Sequence, residues 1–243
     1  MSDETTTAPK APAALPERLG TPGGEPMLIG HHFSKTGGTS IVRHAREELG
    51  LRAFYTYGDA MNRQRRENGR RTLFEFPRRR HDQIKILTGH NLTREVLDLF
   101  AHRDILFFTI VREPWARFVS VYKHRHRVRP EGHRPTPGRL LRTQPANPFA
   151  TELTDRFGGT DPFDVLRRFD MVLTTEHLDE QNGALFRHIG LPPTAERVRV
   201  YPEKPDMGLV TPERLLKRDA LDADIQRRAA HAWTHGRSLQ AFT

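Results

Sequence analysis

The stretch Leu28-Ile-Gly-His-His-Phe-Ser-Lys-Thr-Gly-Gly-Thr-Ser-Ile41 constrains this chain more than any other. A short apolar run, a turn with paired glycines and the start of an amphipathic helix follow one another directly, which is the opening of a βα unit. Backbone N–H groups at a Gly-rich turn entering a helix N-terminus are a ready site for phosphate or sulfate. Lys35 adds a point charge, and Thr36, Thr39 and Ser40 add hydroxyl donors. The triphosphate-binding loop G-x-x-x-x-G-K-[ST] is a different arrangement. Here Ser34 precedes Lys35, Gly37 and Gly38 follow it, and Gly30 lies one residue too close. The stretch reads as an anion site and argues against ATP.

The rest of the chain repeats the alternation. Strands are expected at Leu28–His32, Arg52–Tyr57, Ile84–Leu87, Ile105–Val111 and Met171–Thr174. Helices are expected at Thr39–Leu49 (capped by Gly50), at Thr93–Ala101, after Pro114, at Leu178–Ile189 (closed by Gly190) and at Pro212–Leu239. In the helix after Pro114, Trp115, Phe118, Val119 and Tyr122 fall on one stripe. The strand Ile-Leu-Phe-Phe-Thr-Ile-Val111 is a continuous apolar run of the kind found at the centre of a parallel sheet. The expected fold is α/β: a three-layer, P-loop-like arrangement with a mostly parallel sheet flanked by helices. In such folds ligands sit beyond the carboxyl ends of the strands, and the loop at Ser34–Ser40, Gly89-His90 and Arg112 each follow a strand.

Composition narrows the classes. At 243 residues the chain accommodates one sizeable domain, and its 36% apolar content is bunched into runs. Residues 1–26, rich in Ala, Pro, Thr and Gly, read as a disordered lead-in to a single domain over 27–243. The absence of cysteine excludes disulfides, thiolate metal sites and cysteine nucleophiles. No stretch approaches the roughly 18 apolar residues of a membrane span, so the expectation is a soluble, cytoplasmic protein without a membrane partner. The net charge of +9 is concentrated in two segments, Arg63–Arg80 and Arg112–Arg142. Basic surface of this kind suits phosphorylated or polyanionic partners. Residues 127–148, rich in proline and arginine, read as a long basic loop placed to act as a lid or acceptor-binding segment.

A second motif, Thr109-Ile-Val-Arg-Glu-Pro-Trp-Ala-Arg-Phe-Val-Ser-Val-Tyr122, puts Arg112 at the end of the central strand and Ser120 two turns into the next helix. An arginine fork with a nearby hydroxyl suits a terminal phosphate. Lys-Thr-Gly-Gly-Thr-Ser40, then Gly89-His90, then Val-Arg-Glu-Pro-x-x-Arg-Phe-Val-Ser-Val-Tyr122 together resemble the carbohydrate-type (family 2) sulfotransferases, which use 3′-phosphoadenosine 5′-phosphosulfate (PAPS). Phe169–Glu180 and, more loosely, Leu221–Ile225 extend the resemblance, so that it runs from about Met27 to Leu239. One departure is Ser34, where the family usually has proline.

The resemblance implies roles. Lys35, Thr36, Gly37, Gly38, Thr39 and Ser40 would hold the 5′-phosphosulfate, with Lys35 also neutralising the leaving oxygen. Arg112 and Ser120 would hold the 3′-phosphate, and His90 would take the acceptor proton. The implied reaction is sulfuryl transfer to a hydroxyl of a carbohydrate or sugar-containing metabolite, with an acceptor that is small or a glycan, and the basic charge of the loop around Arg125–Arg142 points separately to an anionic one. No metal is expected, because the lysine and the helix N-terminus do the electrostatic work.

Other readings stay open at this point. His31, His32 and Glu176 compete with His90 for the role of base, and Arg112 can instead pair with Glu113. Arg117 can simply brace its helix. His124-x-His126 lacks a carboxylate at metal-site spacing. A P-loop kinase lacks the Walker glycine and a strand-terminal acid for Mg²⁺. A nucleic-acid binder lacks an aromatic-interleaved basic motif. Oligomeric state is not encoded in any pattern on the chain.

Overall fold

The computed structural model of the chain describes residues 20–56, 73–75, 77–90, 92, 94–193 and 205–234. The five expected strands form: β1 Pro26–His32, β2 Ala53–Thr56, β3 Ile86–Gly89, β4 Asp104–Val111 and β5 Met171–Thr174. They pair in parallel throughout, in the order β2-β3-β1-β4-β5. The central strand is β1, and β4 lies beside it in the register His31 with Thr109 and His32 with Ile110.

Strand alternation sorts the apolar residues onto two faces. Met27 and Ile29 of β1 and Ile105, Phe107 and Val111 of β4 point to one side. There they meet helices α6 Pro148–Phe157, α7 Pro162–Leu166 and α10 Ala220–Thr234 through Phe149, Leu153, Phe157, Leu166 and Ile225. Leu28, Phe108 and Ile110 point to the other, against Ile41 and Ala45 of α1 Gly38–Leu49 and Leu185 and Phe186 of α8 Leu178–Arg187. Gly30 is required on this face, since a Cβ there would lie 2.1 Å from the Phe108 ring. Each fully buried Phe or Leu contributes about 1.5–3 kcal/mol, so the two apolar layers hold the sheet.

A third cluster joins α4 Pro114–Val128 to α5 Pro137–Thr143 and α9 Pro212–Arg218 through Phe118, Val121, Tyr122, Leu140 and Leu215. This packing shifts the buried stripe of α4: Val121 faces inward where Val119 was expected, and Trp115 is only half-buried. Two short helices, α2 Arg78–Gln83 and α3 Arg94–Asp98, complete the fold.

Three sequence expectations change. Within the stretch read as a disordered lead-in, residues 20–25 are hydrogen-bonded to the bottom of the sheet. Thr21 N–H donates to the Arg103 carbonyl (2.6 Å) and Asp104 N–H to that of Glu25 (3.1 Å). The rest of that stretch lies outside the described residues, as does most of the first arginine cluster. The basic segment 127–148 is not a plain loop. It contains a 3-10 turn at Glu131–His133 and all of α5, whose N-cap Thr136 accepts from Arg139 N–H. The expected C-terminal helix breaks at Asp219, because its buried carboxylate is engaged by Arg218 and by Asn147 N–H. Among the described residues no helix is long and apolar enough to cross a membrane.

Candidate active site

The turn after β1 is built from conformations that most residues avoid. Lys35 (φ 72°) and Gly37 (φ 91°) are both left-handed, and the Thr36 hydroxyl donates back to the Phe33 carbonyl at 2.9 Å. Gly37 heads α1 with no side-chain cap, and Ser40 N–H donates to the Gly37 carbonyl at 3.0 Å. Gly38 is fixed by packing: a Cβ there would lie 2.3 Å from the His32 ring. Only glycine lets the helix start so close to the strand.

Two groups lace this turn to the neighbouring strands. Arg112, at the end of β4, donates from Nη1 to the Lys35 carbonyl at 3.0 Å. The Thr175 hydroxyl, just after β5, lies 2.8 Å from the Thr36 carbonyl and 3.1 Å from that of Val111. Glu113 is not the partner of Arg112. Its carboxylate caps α4, accepting from Trp115 N–H (2.9 Å) and Ala116 N–H (2.7 Å). Ser120 sits half-buried on α4, two turns from Arg112.

His90 follows β3, and β1 pairs with β3 so that His31 lies beside Gly89. Its Nδ1 is 2.6 Å from the His32 carbonyl oxygen. A carbonyl only accepts, so Nδ1 carries the proton and Nε2 is the basic nitrogen. Burial holds the His90 pKa below the ordinary histidine value, partly offset by that hydrogen bond and by the Glu152 charge. The ring is neutral at pH 7 and able to take a proton.

The competing bases are used otherwise. His32 is buried, with Nδ1 3.0 Å from the Thr88 hydroxyl, and burial drives its pKa well down. His31 is fully buried between the edges of Phe33 and Phe157 and is pushed down to about 4, chiefly by burial. Glu176 is exposed, and Oε1 accepts from Glu113 N–H at 3.1 Å. His124 and His126 belong to α4, and among the described residues no group of three or more ligating side chains is assembled.

A cavity of about 620 Å³ opens between α4 and α6, with Arg117, Arg125, Gln144, Glu152, Asp155 and Arg156 in its walls. The Arg117 Nε is buried without an acceptor among the described residues. Burial lowers the Arg117 pKa, against the opposing charges of Asp222, Glu152 and Asp219. Gln144 Oε1 is likewise buried without a donor.

Lys35, Arg112 and His90 are thus brought to one end of the sheet, as the motifs suggest. Sequence reasoning missed Thr175, the carbonyl of His32 and all of α6, which supplies Glu152 and Arg156. The available signal for α6 was Asn147-Pro148 followed ten residues later by Gly158, an N-cap, an N1 proline and a C-terminal glycine.

A search of curated proteins returned no match. The family model described as the sulfotransferase family matches residues 25–183, about two thirds of the chain, from the start of β1 into α8. The match takes in the turn at Lys35, His90, Arg112 and the cavity helix α6 together, and with it the chain belongs to the sulfotransferase family, enzymes that transfer a sulfuryl group.

Proposed function

We propose that the chain transfers a sulfuryl group from PAPS to a hydroxyl of a carbohydrate or sugar-containing metabolite. The observation that carries this reading is the hydrogen-bonded linkage of three strand ends: Arg112 to the Lys35 carbonyl and His90 to the His32 carbonyl. Lys35 to Ser40 would take the 5′-phosphosulfate, with Arg112 and Ser120 on the 3′-phosphate. As the acceptor oxygen attacks sulfur, the bond from sulfur to the 5′-phosphate oxygen breaks and that oxygen keeps the electron pair. Lys35 and the N-terminus of α1 neutralise it, and the acceptor proton passes to His90 Nε2. No metal is needed for these steps.

The acceptor is read as anionic. Arg117 Nε is a buried donor without an acceptor among the described residues, and Arg125 shares the same wall, while the unsatisfied Gln144 Oε1 would accept from a hydroxyl of the same ligand. A guanidinium fork of this kind favours a carboxylate or sulfate. The volume lies within the roughly 300–1,000 Å³ usual for small-molecule sites.

Adenosine 3′,5′-bisphosphate is expected to raise the melting temperature more than ADP does, because only it carries the 3′-phosphate. No shift at millimolar concentration would sink the reading. With labelled donor and a panel of acidic and neutral sugars, Lys35→Ala is expected to lower turnover by about 10²–10³-fold. His90→Ala should cost about 10²–10⁴-fold while leaving the bisphosphate shift intact.

A further inference from the structure

The segment just after β5 touches both halves of the candidate nucleotide clamp. The Thr175 hydroxyl lies 2.8 Å from the Thr36 carbonyl and 3.1 Å from that of Val111. Carbonyls only accept, and a hydroxyl has one proton to give. This O–H is therefore shared between the turn after β1 and the last residue of β4. Arg112, the residue after Val111, donates from Nη1 to the carbonyl of Lys35, the residue before Thr36. The links close a ring that runs from Arg112 through Lys35, Thr36, Thr175 and Val111 back to Arg112. The Thr175 methyl lies against the same turn, since a Cβ on Gly37 would be 3.5 Å from its Cγ2.

The next residue grips the other side of Arg112. Glu176 Oε1 accepts from Glu113 N–H at 3.1 Å, so Thr175 and Glu176 together hold the backbone on both flanks of the arginine. Two side chains close the ring, and they differ in one respect. Arg112 is itself assigned to the ligand, whereas the Thr175 hydroxyl is given to two backbone carbonyls. A chain that loses this hydroxyl keeps every group assigned to the donor. It loses one of the two side-chain ties between the Lys35 turn and Arg112.

We propose that Thr175 is a positioning residue that fixes the Lys35 turn and Arg112 at one separation, so that the 5′- and 3′-phosphates of a single adenosine nucleotide are recognised together. This role rests on the sulfuryl-transfer reading for which phosphate each side holds. A ligand with one phosphate engages one half of the ring and gains little from its closure. A ligand with both gains more, because each half holds the other in place, which is a coupling between the two subsites. The ordering of the two halves is also done before the ligand arrives.

The test is titration calorimetry on the full chain with adenosine 5′-monophosphate, adenosine 3′-monophosphate and adenosine 3′,5′-bisphosphate. Thr175→Val keeps the shape and removes the O–H. Its Kd for the bisphosphate should rise about fivefold, the effect of one lost hydrogen bond, while that for each monophosphate changes by less than about twofold. Thr175→Ser restores the hydroxyl and should bind the bisphosphate as the parent does. Thr175→Ala repeats the loss with a smaller side chain, and urea unfolding confirms that the variants are folded. An equal rise for all three nucleotides is the mark of a turn that has merely loosened, and it overturns the proposal. So does a bisphosphate affinity that stays put in Thr175→Val and Thr175→Ala, or that Thr175→Ser fails to restore. A parent chain that does not bind the bisphosphate removes the sulfuryl-transfer reading and this role with it. A parent that binds it while the variants match the parent removes this role alone.

Discussion

His31 and Asp222 are buried groups whose proton equilibria oppose each other, and their competition can be measured. Burial pushes His31 from 6.5 to about 4. The unfolded chain therefore binds its proton more readily, and the fold loses stability as pH falls from 6.5 to about 4. The span corresponds to about 3 kcal/mol. Asp222 is raised from 3.8 to about 6 by burial, against the hydrogen bonds it accepts from Ala150 and Phe149. Its contribution is fully present below 3.8 and is lost as pH rises through 6, so acidification restores what His31 removes. The two contributions oppose each other in acid, and the lowered pKa values of His32 and His90 add to the loss from His31. Urea unfolding at a series of pH values should separate them. The stability of His31→Gln should fall less than that of the parent between pH 6.5 and 4, and that of Asp222→Asn should fall more. Parallel curves for all three would contradict the assignment.

At the scale of elements, α6 and α10 cap each other. Asn147 Oδ1 accepts from Leu221 N–H (2.9 Å) and Asp222 N–H (3.3 Å) at the head of α10. Asp222 accepts from Phe149 N–H and Ala150 N–H, both at 2.9 Å, at the head of α6. Asn147 holds this position at φ 47°, which asparagine tolerates better than most residues. Asn147→Ala should cost about 1–2 kcal/mol for the lost cap and roughly 1–2 more for the left-handed backbone. Asn147→Gly should recover the second part only, and chemical denaturation of the three chains gives the order. Because α6 carries Glu152 and Arg156, this cap also fixes the cavity wall from a helix that lies beyond residues 25–183. The contrast with the sheet shows what local pattern can reveal. The strands were legible because β4 is an uninterrupted apolar run and the turns after β1, β3 and β4 have their own residue signatures. Lys35, His90 and Arg112 were legible for the same reason, each being next to its strand in sequence. The site's other parts were not. Thr175 reaches the turn after β1 only through the β1-β4-β5 strand order, and α6 is anchored by contacts some 70 residues distant. Val121 replaced Val119 as a buried residue because α4 packs on α5 and α9, which no single-helix pattern contains.

Across the whole molecule, the turn after β1 is tied to strand ends that are not contiguous in sequence. Arg112 grips it from β4 and Thr175 from the end of β5, while the interior below is two apolar layers. Ligand binding to the native state alone stabilises it by RT ln(1 + [L]/Kd), about 2.7 kcal/mol at a hundredfold excess over Kd. That gain lowers global unfolding everywhere, yet segments that exchange by local opening report only the contacts they themselves gain. Hydrogen exchange with and without adenosine 3′,5′-bisphosphate should therefore slow most at residues 34–41, 112–116 and 174–177, three stretches separated in sequence and brought together by Arg112, Thr175 and the Glu113–Glu176 hydrogen bond. Helices α5 and α9, which form the separate cluster around Phe118 and Leu140, should change little. Protection confined to residues 34–41 would mean that the turn binds anions by itself and that the grips from β4 and β5 are structural. Thr175→Val keeps the shape and removes the hydroxyl. In that variant the protection at 174–177 should disappear while that at 112–116 persists, since the Arg112 hydrogen bond to the turn does not pass through β5.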